Sequence, residues 1–338
     1  MTILVFSSLK DAHAPAVMAA LTASGALVEL LDLSEFPQRL SLSMEFEDGG
    51  RRFALVRKGG ARLDLADVTS VWWRRPQPFA FPEAMADGAR RRFAFSESST
   101  AFQGLYAALD AFWVNEPGRD AAAAHKPWQL ALAQAIGLEI PATLMTSDPE
   151  AVAAFRHRHG GNVIFKQFLA LPDAWRETRL LRPEDEAHLD SVRWAPVIFQ
   201  RFVEAVADVR VIAIGGELFA AAADVRDMEY PVDVRMNLEA RYEAHRLPHA
   251  TEDGLRALMG RLGLEYGAID LRLTPEGHYV FLEINPAGQF LYIEHMTGQK
   301  IAAALAARLI EGGRLQRARP GATGPVGKPA PVREPKIA

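Results

Sequence analysis

The chain has 338 residues, 49% hydrophobic and 24% charged, enough to fill a substantial core and, at this length, to divide into two or three compact units. A formal net charge of −4 and a pI near 6.2 argue against a broad electrostatic footprint, so nucleic acid is not an expected partner. With no cysteine, thiolate nucleophiles, disulfides and zinc–thiolate centres are excluded; no apolar run approaches the ~20 residues of a membrane span, and residues 2–6 make no signal-peptide core, so a cytoplasmic protein without a membrane partner is expected.

Residues 3–6 read as a buried strand, 12–24 as a helix closed by Gly25, and 26–32 as a second strand, a β-α-β opening. The intervening turn, 7–11, has no glycine and matches neither a dinucleotide fingerprint nor a phosphate loop. Between 41 and 71, short strands surround Asp48-Gly49-Gly50 and Lys58-Gly59-Gly60 and predict a hairpin-rich insert. Trp72, Trp73, Arg74 and Arg75 follow, a combination that suits either base stacking or a strand with Trp in the core and Arg at its end, the commoner arrangement. Residues 93–112 have helical periodicity.

A second unit begins near Ala121. His125, Lys126 and Pro127 open a helix that Gly137 closes, and 138–141 continue extended. Strands are expected at 162–168, 196–202 and 208–214, and a helix at 251–262. From 320 onward, five prolines and three glycines without apolar periodicity predict a solvated tail. Lysine supplies only seven of the 38 basic residues, so Lys126 at a helix start and Lys166 in a strand stand out. The nine histidines show no metal-ligand spacing.

The apolar runs 268–273 and 279–284 flank a turn-rich 274–278 and predict an antiparallel hairpin. With the turn centred between Glu276 and Gly277, Asp270 lies opposite Glu283, and the period of two puts Asn285 on the face of Glu283. Opposed carboxylates repel unless a cation sits between them. Hard oxygen ligands, few in number, suit Mg2+ that completes its octahedron with water and nucleotide phosphates.

Lys126, Lys166, the strand around Gln200-Arg201-Phe202-Val203, Asp208-Val209-Arg210, and Asp270 with Glu283-Ile284-Asn285 occur in an order that resembles the ATP-grasp superfamily over residues 121–315. Residues 71–76, Ile140-Pro141-Ala142-Thr143 and the run NPAGQFLYIE resemble the ligases that make graspetides, the microviridin-type ester and amide ligases. The resemblance implies an α/β (α+β) ATP-grasp fold: an N-terminal open α/β domain (1–118), a central subdomain (119–196), a C-terminal antiparallel sheet (197–318) and a disordered tail (319–338). It implies ATP and two Mg2+ ions as cofactors, a ribosomal precursor peptide as partner, with leader docked outside the active site and core threaded into it, and a homodimer. Lys126 and Lys166 would reach the phosphates, Gln200, Arg201, Phe202 and Val203 would flank adenine, Asp208 would accept from ribose, and Asp270, Glu283 and Asn285 would hold metal. Arg210, with Arg235 and Asn237 in a long loop, would face the reacting phosphate and the acceptor; for Arg210 the plainer alternative is an ion pair with Glu204 or Asp208. The implied activity is activation of Asp or Glu side chains as acyl phosphates and closure of ω-ester or ω-amide rings. A ligase adding free amino acids would keep the same ATP residues. Relatives usually carry a glycine-containing phosphate cover after Lys166, whereas 167–191 has no glycine, leaving Arg176, Thr178 and Arg179 as substitutes.

Overall fold

Thr2–Phe6 (β1) has four buried residues out of five because neighbours flank it on both sides: Leu27–Leu31 (β2) and Val68–Trp73 (β6) pair with it in parallel. A computed structural model describes residues 2–48, 50–85, 87–168, 177–226, 228, 230, 232 and 240–318. Helix His13–Ala23 (α1) makes the crossover between β1 and β2, as the β-α-β reading requires. The insert is a three-stranded antiparallel sheet of Leu40–Glu47 (β3), Gly50–Arg57 (β4) and Arg62–Asp64 (β5). Helix Gly88–Ala108 (α2) starts earlier than its apolar periodicity, because Asp87 caps it by accepting from the Ala89 N–H at 2.8 Å while the first turns are arginine-rich and solvated. It also stops earlier, and Phe112 opens the strand Phe112–Val114 (β7), which completes the order β2-β1-β6-β7. Trp72 is buried and Trp73 packs on Phe6 and Tyr106 at centroid distances of 5.1 and 4.9 Å, so this pair is core and not a stacking surface.

Helices Pro117–Ala123 (α3) and Lys126–Ala135 (α4) lead into a four-stranded antiparallel sheet, order β10-β9-β11-β8, made from Thr143–Thr146 (β8), Val163–Lys166 (β9), Arg179–Leu180 (β10) and Val197–Arg201 (β11). Helix Pro149–Arg158 (α5) packs Val152 and Phe155 beneath it. A second antiparallel sheet, order β14-β13-β12-β15-β16, comprises Ala207–Ile214 (β12), Glu217–Asp224 (β13), Glu243–Ala244 (β14), Tyr266–Leu273 (β15) and Tyr279–Asn285 (β16). One of its faces buries Val209, Val211, Ile269 and Leu271 with Leu255, Leu258 and Leu262 of helix His249–Leu262 (α6). That helix ends at Gly263, whose φ of 67° is the left-handed cap geometry that glycine adopts without a Cβ penalty. Helices Leu291–Thr297 (α7) and Ile301–Arg317 (α8) close the described chain. Two compact units result: Gly118–Ile301, and the residues through Pro117 joined by those from Ala302 onward. No helix among the described residues is long and apolar enough to cross a membrane. The sequence-predicted tail from 319 lies outside the described residues.

Candidate active site

The second face of the five-stranded sheet is charged, and strand alternation makes it so. On β12, Asp208 and Arg210 alternate with the buried Val209 and Val211. On β15, Arg272 stands opposite Asp208 and Asp270 opposite Arg210, so each cross-strand pair joins opposite charges. Arg272 donates from Nε to Asp208 at 2.8 Å, and Arg210 Nη1 lies 2.6 and 2.7 Å from the two Asp270 carboxylate oxygens. The Arg210 partner is therefore Asp270, not Glu204 or Asp208. Burial works against the Arg210 charge, but Asp270, with Tyr292 and Tyr266 nearby, outweighs it and holds the guanidinium firmly protonated.

Asp270 does lie opposite Glu283, by a route that alternation alone does not show. Near the turn, Leu273 pairs with Tyr279 and Leu271 with Phe281, one residue out of step with the expected register. Carried on, that pairing would set Leu282 against Asp270. A bulge on β16 absorbs Leu282 and turns Glu283 toward Asp270, the re-aiming that such irregularities commonly perform beside functional sites. The cations that let these acids coexist come from the protein itself: Lys126 ion-pairs with Glu283, Lys166 Nζ is 3.9 Å from the same oxygen, and Arg210 holds Asp270. Lys126 is the first residue of α4 and Lys166 the last of β9, so separate elements deliver both scarce lysines to one carboxylate.

Asn285 is exposed at the end of β16, and its Oδ1 accepts from the Ala287 N–H at 2.9 Å, forming a turn around Pro286. Gly288 follows, where an added Cβ would sit 2.2 Å from the Ala268 Cβ and 3.1 Å from Arg210 Nη2. Only glycine lets the chain pass this close over β15, and the Tyr266 hydroxyl fixes it by donating to the Gly288 carbonyl at 2.8 Å. Arg210 Nη2 also donates to the Gln289 carbonyl at 3.3 Å. Gln200 is buried in β11 with its amide donating to Thr143 Oγ1 at 2.9 Å. In the following backbone, the Arg201 N–H donates to Ala142 and the Phe202 N–H to Asn162.

Arg272, which the sequence pattern does not single out, ties Phe202 and Val203 to the five-stranded sheet. It is 4% exposed, donates to the Val203 carbonyl at 2.8 Å, and stands 5.2 Å from the Phe202 ring centroid. Arg272 lies two residues beyond Asp270 on the same strand face. Gln129 was also missed, three residues after Lys126. Arg179 pairs with Asp185 at 3.1 Å and stacks on Phe165 at 4.8 Å. Arg176, Arg235 and Asn237 lie outside the described residues.

The donor set fits Mg2+ in chemistry, with two carboxylates and an amide oxygen on neighbouring positions. Among the described residues no three His, Asp or Glu side chains gather, so the third protein oxygen would be that of Asn285.

A family model described as the MvdD pre-ATP grasp domain matches residues 2–120. Macrocyclase MdnC of Microcystis aeruginosa MRC, solved with precursor peptide MdnA, is 27% identical with a TM-score of 0.81 over 92% of this chain and 100% of its own. A Chryseobacterium gregarium RiPP-associated ATP-grasp ligase, solved with ADP and a leader and core peptide, is 26% identical with a TM-score of 0.84 over 92% of this chain and 96% of its own. The ATP-grasp ligase PsnB, solved with minimal precursor, Mg and ADP, is 27% identical with a TM-score of 0.75 over 93% of this chain and 98% of its own. A search of curated proteins finds no significant match. The fold matches that of solved ATP-grasp ligases, and this likeness marks an ATP-dependent ligase. Within that type the chain resembles the graspetide ligases, the peptide ester- and amide-forming macrocyclases.

Proposed function

We propose that the protein closes ω-ester or ω-amide rings in a ribosomally made precursor peptide. A side-chain carboxylate oxygen of the peptide attacks the γ-phosphorus of ATP, the bond to the β-phosphate oxygen breaks, and ADP leaves. A peptide hydroxyl or amine then attacks the acyl phosphate carbon, loses its proton, and displaces phosphate. Each ring closed removes one water.

The observation that carries this reading is the opposed pair Asp270 and Glu283, met by Lys126, Lys166 and Arg210 from three separate elements. Acids and cations in one place, with no nucleophile among them, suit phosphoryl transfer, where positioning and charge neutralisation do most of the work. Bound Mg2+ would neutralise phosphate charge, held by Asp270, Glu283 and Asn285. Lys126 and Lys166 would exchange Glu283 for the phosphates as point charges. Arg210 would steady the transferring phosphoryl group, with Arg235 and Asn237 on the acceptor side. Gln200, Arg201, Phe202 and Val203 would flank the adenine and Asp208 would face the ribose. The same reading includes two Mg2+ ions, three parts bounded at 1–118, 119–196 and 197–318, a homodimer and a cytoplasmic setting.

Purified protein incubated with ATP, Mg2+ and candidate precursors tests the proposal. Peptide-dependent ADP release with stepwise loss of water by mass spectrometry is expected, and Glu283→Gln should abolish both. ADP release that depends on free amino acids, with no peptide losing water, would instead indicate a ligase that adds amino acids.

A further inference from the structure

Among the described residues, strand β16 is the outer strand of its sheet, so one row of its backbone groups has no strand partner there. Two residues from a single stretch of chain bond to that row. The Phe281 N–H donates to the Glu139 carbonyl at 2.8 Å. Beyond the bulge, Gln129 does what a sixth strand would do: its Oε1 accepts from the Ile284 N–H at 3.0 Å and its Nε2 donates to the Ile284 carbonyl at 2.8 Å. The second Nε2 hydrogen goes to the Ala123 carbonyl at 2.7 Å, at the end of α3 and three residues before Lys126. Gln129 is 2% exposed, so no water competes for these bonds.

Ile284 stands between Glu283 and Asn285, and Gln129 shares a helix face with Lys126, three residues away. One amide thus fixes the peptide units that carry two metal-ligand candidates and sets their spacing from the lysine that pairs with Glu283. We infer that Gln129 is a positioning residue for the metal and phosphate groups, locking α4 to β16 so that Lys126, Glu283 and Asn285 act as one rigid set. The inference rests on the proposed Mg2+ and ATP site and assigns it a part that does not touch either ligand.

Gln129→Glu retains the shape and the acceptor but turns oxygen lone pairs toward two carbonyls, while Gln129→Met retains shape alone. For each, Mn2+ binding in the presence of a non-hydrolysable β,γ-imido ATP analogue is followed by electron paramagnetic resonance, beside the melting temperature. The expected result is a rise of about tenfold or more in half-saturating Mn2+, the range seen when a partner behind a metal ligand is lost, with an altered Mn2+ line shape in the folded variant. A lower melting temperature with wild-type Mn2+ affinity and line shape overturns the inference and leaves Gln129 a structural staple. Should neither variant fold, hydrogen exchange on the wild-type chain decides: slow exchange at the Ile284 amide, slowed further by Mn2+ with the analogue, supports the inference, and exchange indifferent to them overturns it. Wild-type protein that binds no Mn2+ with the analogue overturns the site reading and the inference together, whereas normal wild-type binding with unaltered variants overturns the inference alone.

Discussion

Glu283 is held by Lys126 and approached by Lys166, so the ammonium groups proposed for ATP already neutralise the carboxylate proposed for metal. On that proposal, binding would be an exchange of partners in which metal displaces lysine from Glu283 and the freed lysine takes phosphate. Lys126→Met should therefore shift two affinities in opposite directions. Mn2+ alone should bind more tightly, because Glu283 loses a competitor. ATP with Mg2+ should bind about tenfold to a hundredfold more weakly, the usual scale of a charge-assisted hydrogen bond. Titrating each separately checks this, and losses in both would exclude the exchange. Arg272 offers a second test, because its guanidinium serves Asp208, the Val203 carbonyl and the Phe202 ring at once. Arg272→Met leaves a largely buried Asp208 without this partner, a change that costs about 3–5 kcal/mol for comparable pairs. The Asp208→Asn, Arg272→Met double variant should recover part of that loss in denaturant titrations.

At the scale of elements, the sheet hairpin shows what a sequence can and cannot announce. Apolar runs around a turn-rich segment predict β15 and β16, because period and composition are local properties, but the regular register they imply near the turn is one residue off and only the bulge brings Glu283 opposite Asp270. The bulge at Leu282 was not legible. The contacts that flank it on the outer edge of β16 come from Glu139 and Gln129, more than 140 residues earlier in the chain, and a local pattern carries no record of them. Arg272 was hidden for a related reason: in a Leu-Arg-Leu strand, a polar residue reads as facing solvent, and only the pairing with β12 reveals a buried partner. The loop after β1 carries another element-scale device. Asp11 accepts from Arg74 Nε at 2.9 Å and from His13, tying that loop to the end of β6. Burial works to raise the Asp11 pKa, but the His13 hydrogen bonds and the Arg74 charge outweigh it and hold the carboxyl well below its usual range. A depressed carboxyl stabilises the fold fully above the unfolded value near 3.8, and that contribution fades as pH falls below it. Asp11→Asn should lower stability at neutral pH by on the order of 3 kcal/mol, since Arg74 is 1% exposed. The gap from wild type should narrow in acid, and melting curves across pH measure it.

For the whole molecule, chain order and compact units disagree in a way that can be tested. The unit made by the residues through Pro117 also needs α8: Leu305 and Leu309 are fully buried, Ser70 Oγ donates to the Leu309 carbonyl at 2.5 Å, and Arg308 stacks on Phe112 at 4.9 Å. Gly312 lies so near Phe112 that an added Cβ would come within 2.1 Å of its ring. Gly118–Ile301, by contrast, is continuous and has its own core of Val209, Leu255, Leu258 and Phe281. Cutting the chain after Lys300 removes two buried leucines worth roughly 1.5–3 kcal/mol each, against a typical domain stability of about 5–15 kcal/mol. The truncated protein should lose hydrogen-exchange protection across residues 2–117 while 118–300 stays protected. Removing only 319–338, a segment of prolines and glycines without apolar periodicity, should leave both protected and the melting temperature unchanged. Equal protection of residues 2–117 in the two truncations would mean that α8 contributes little to the first unit, whatever its burial.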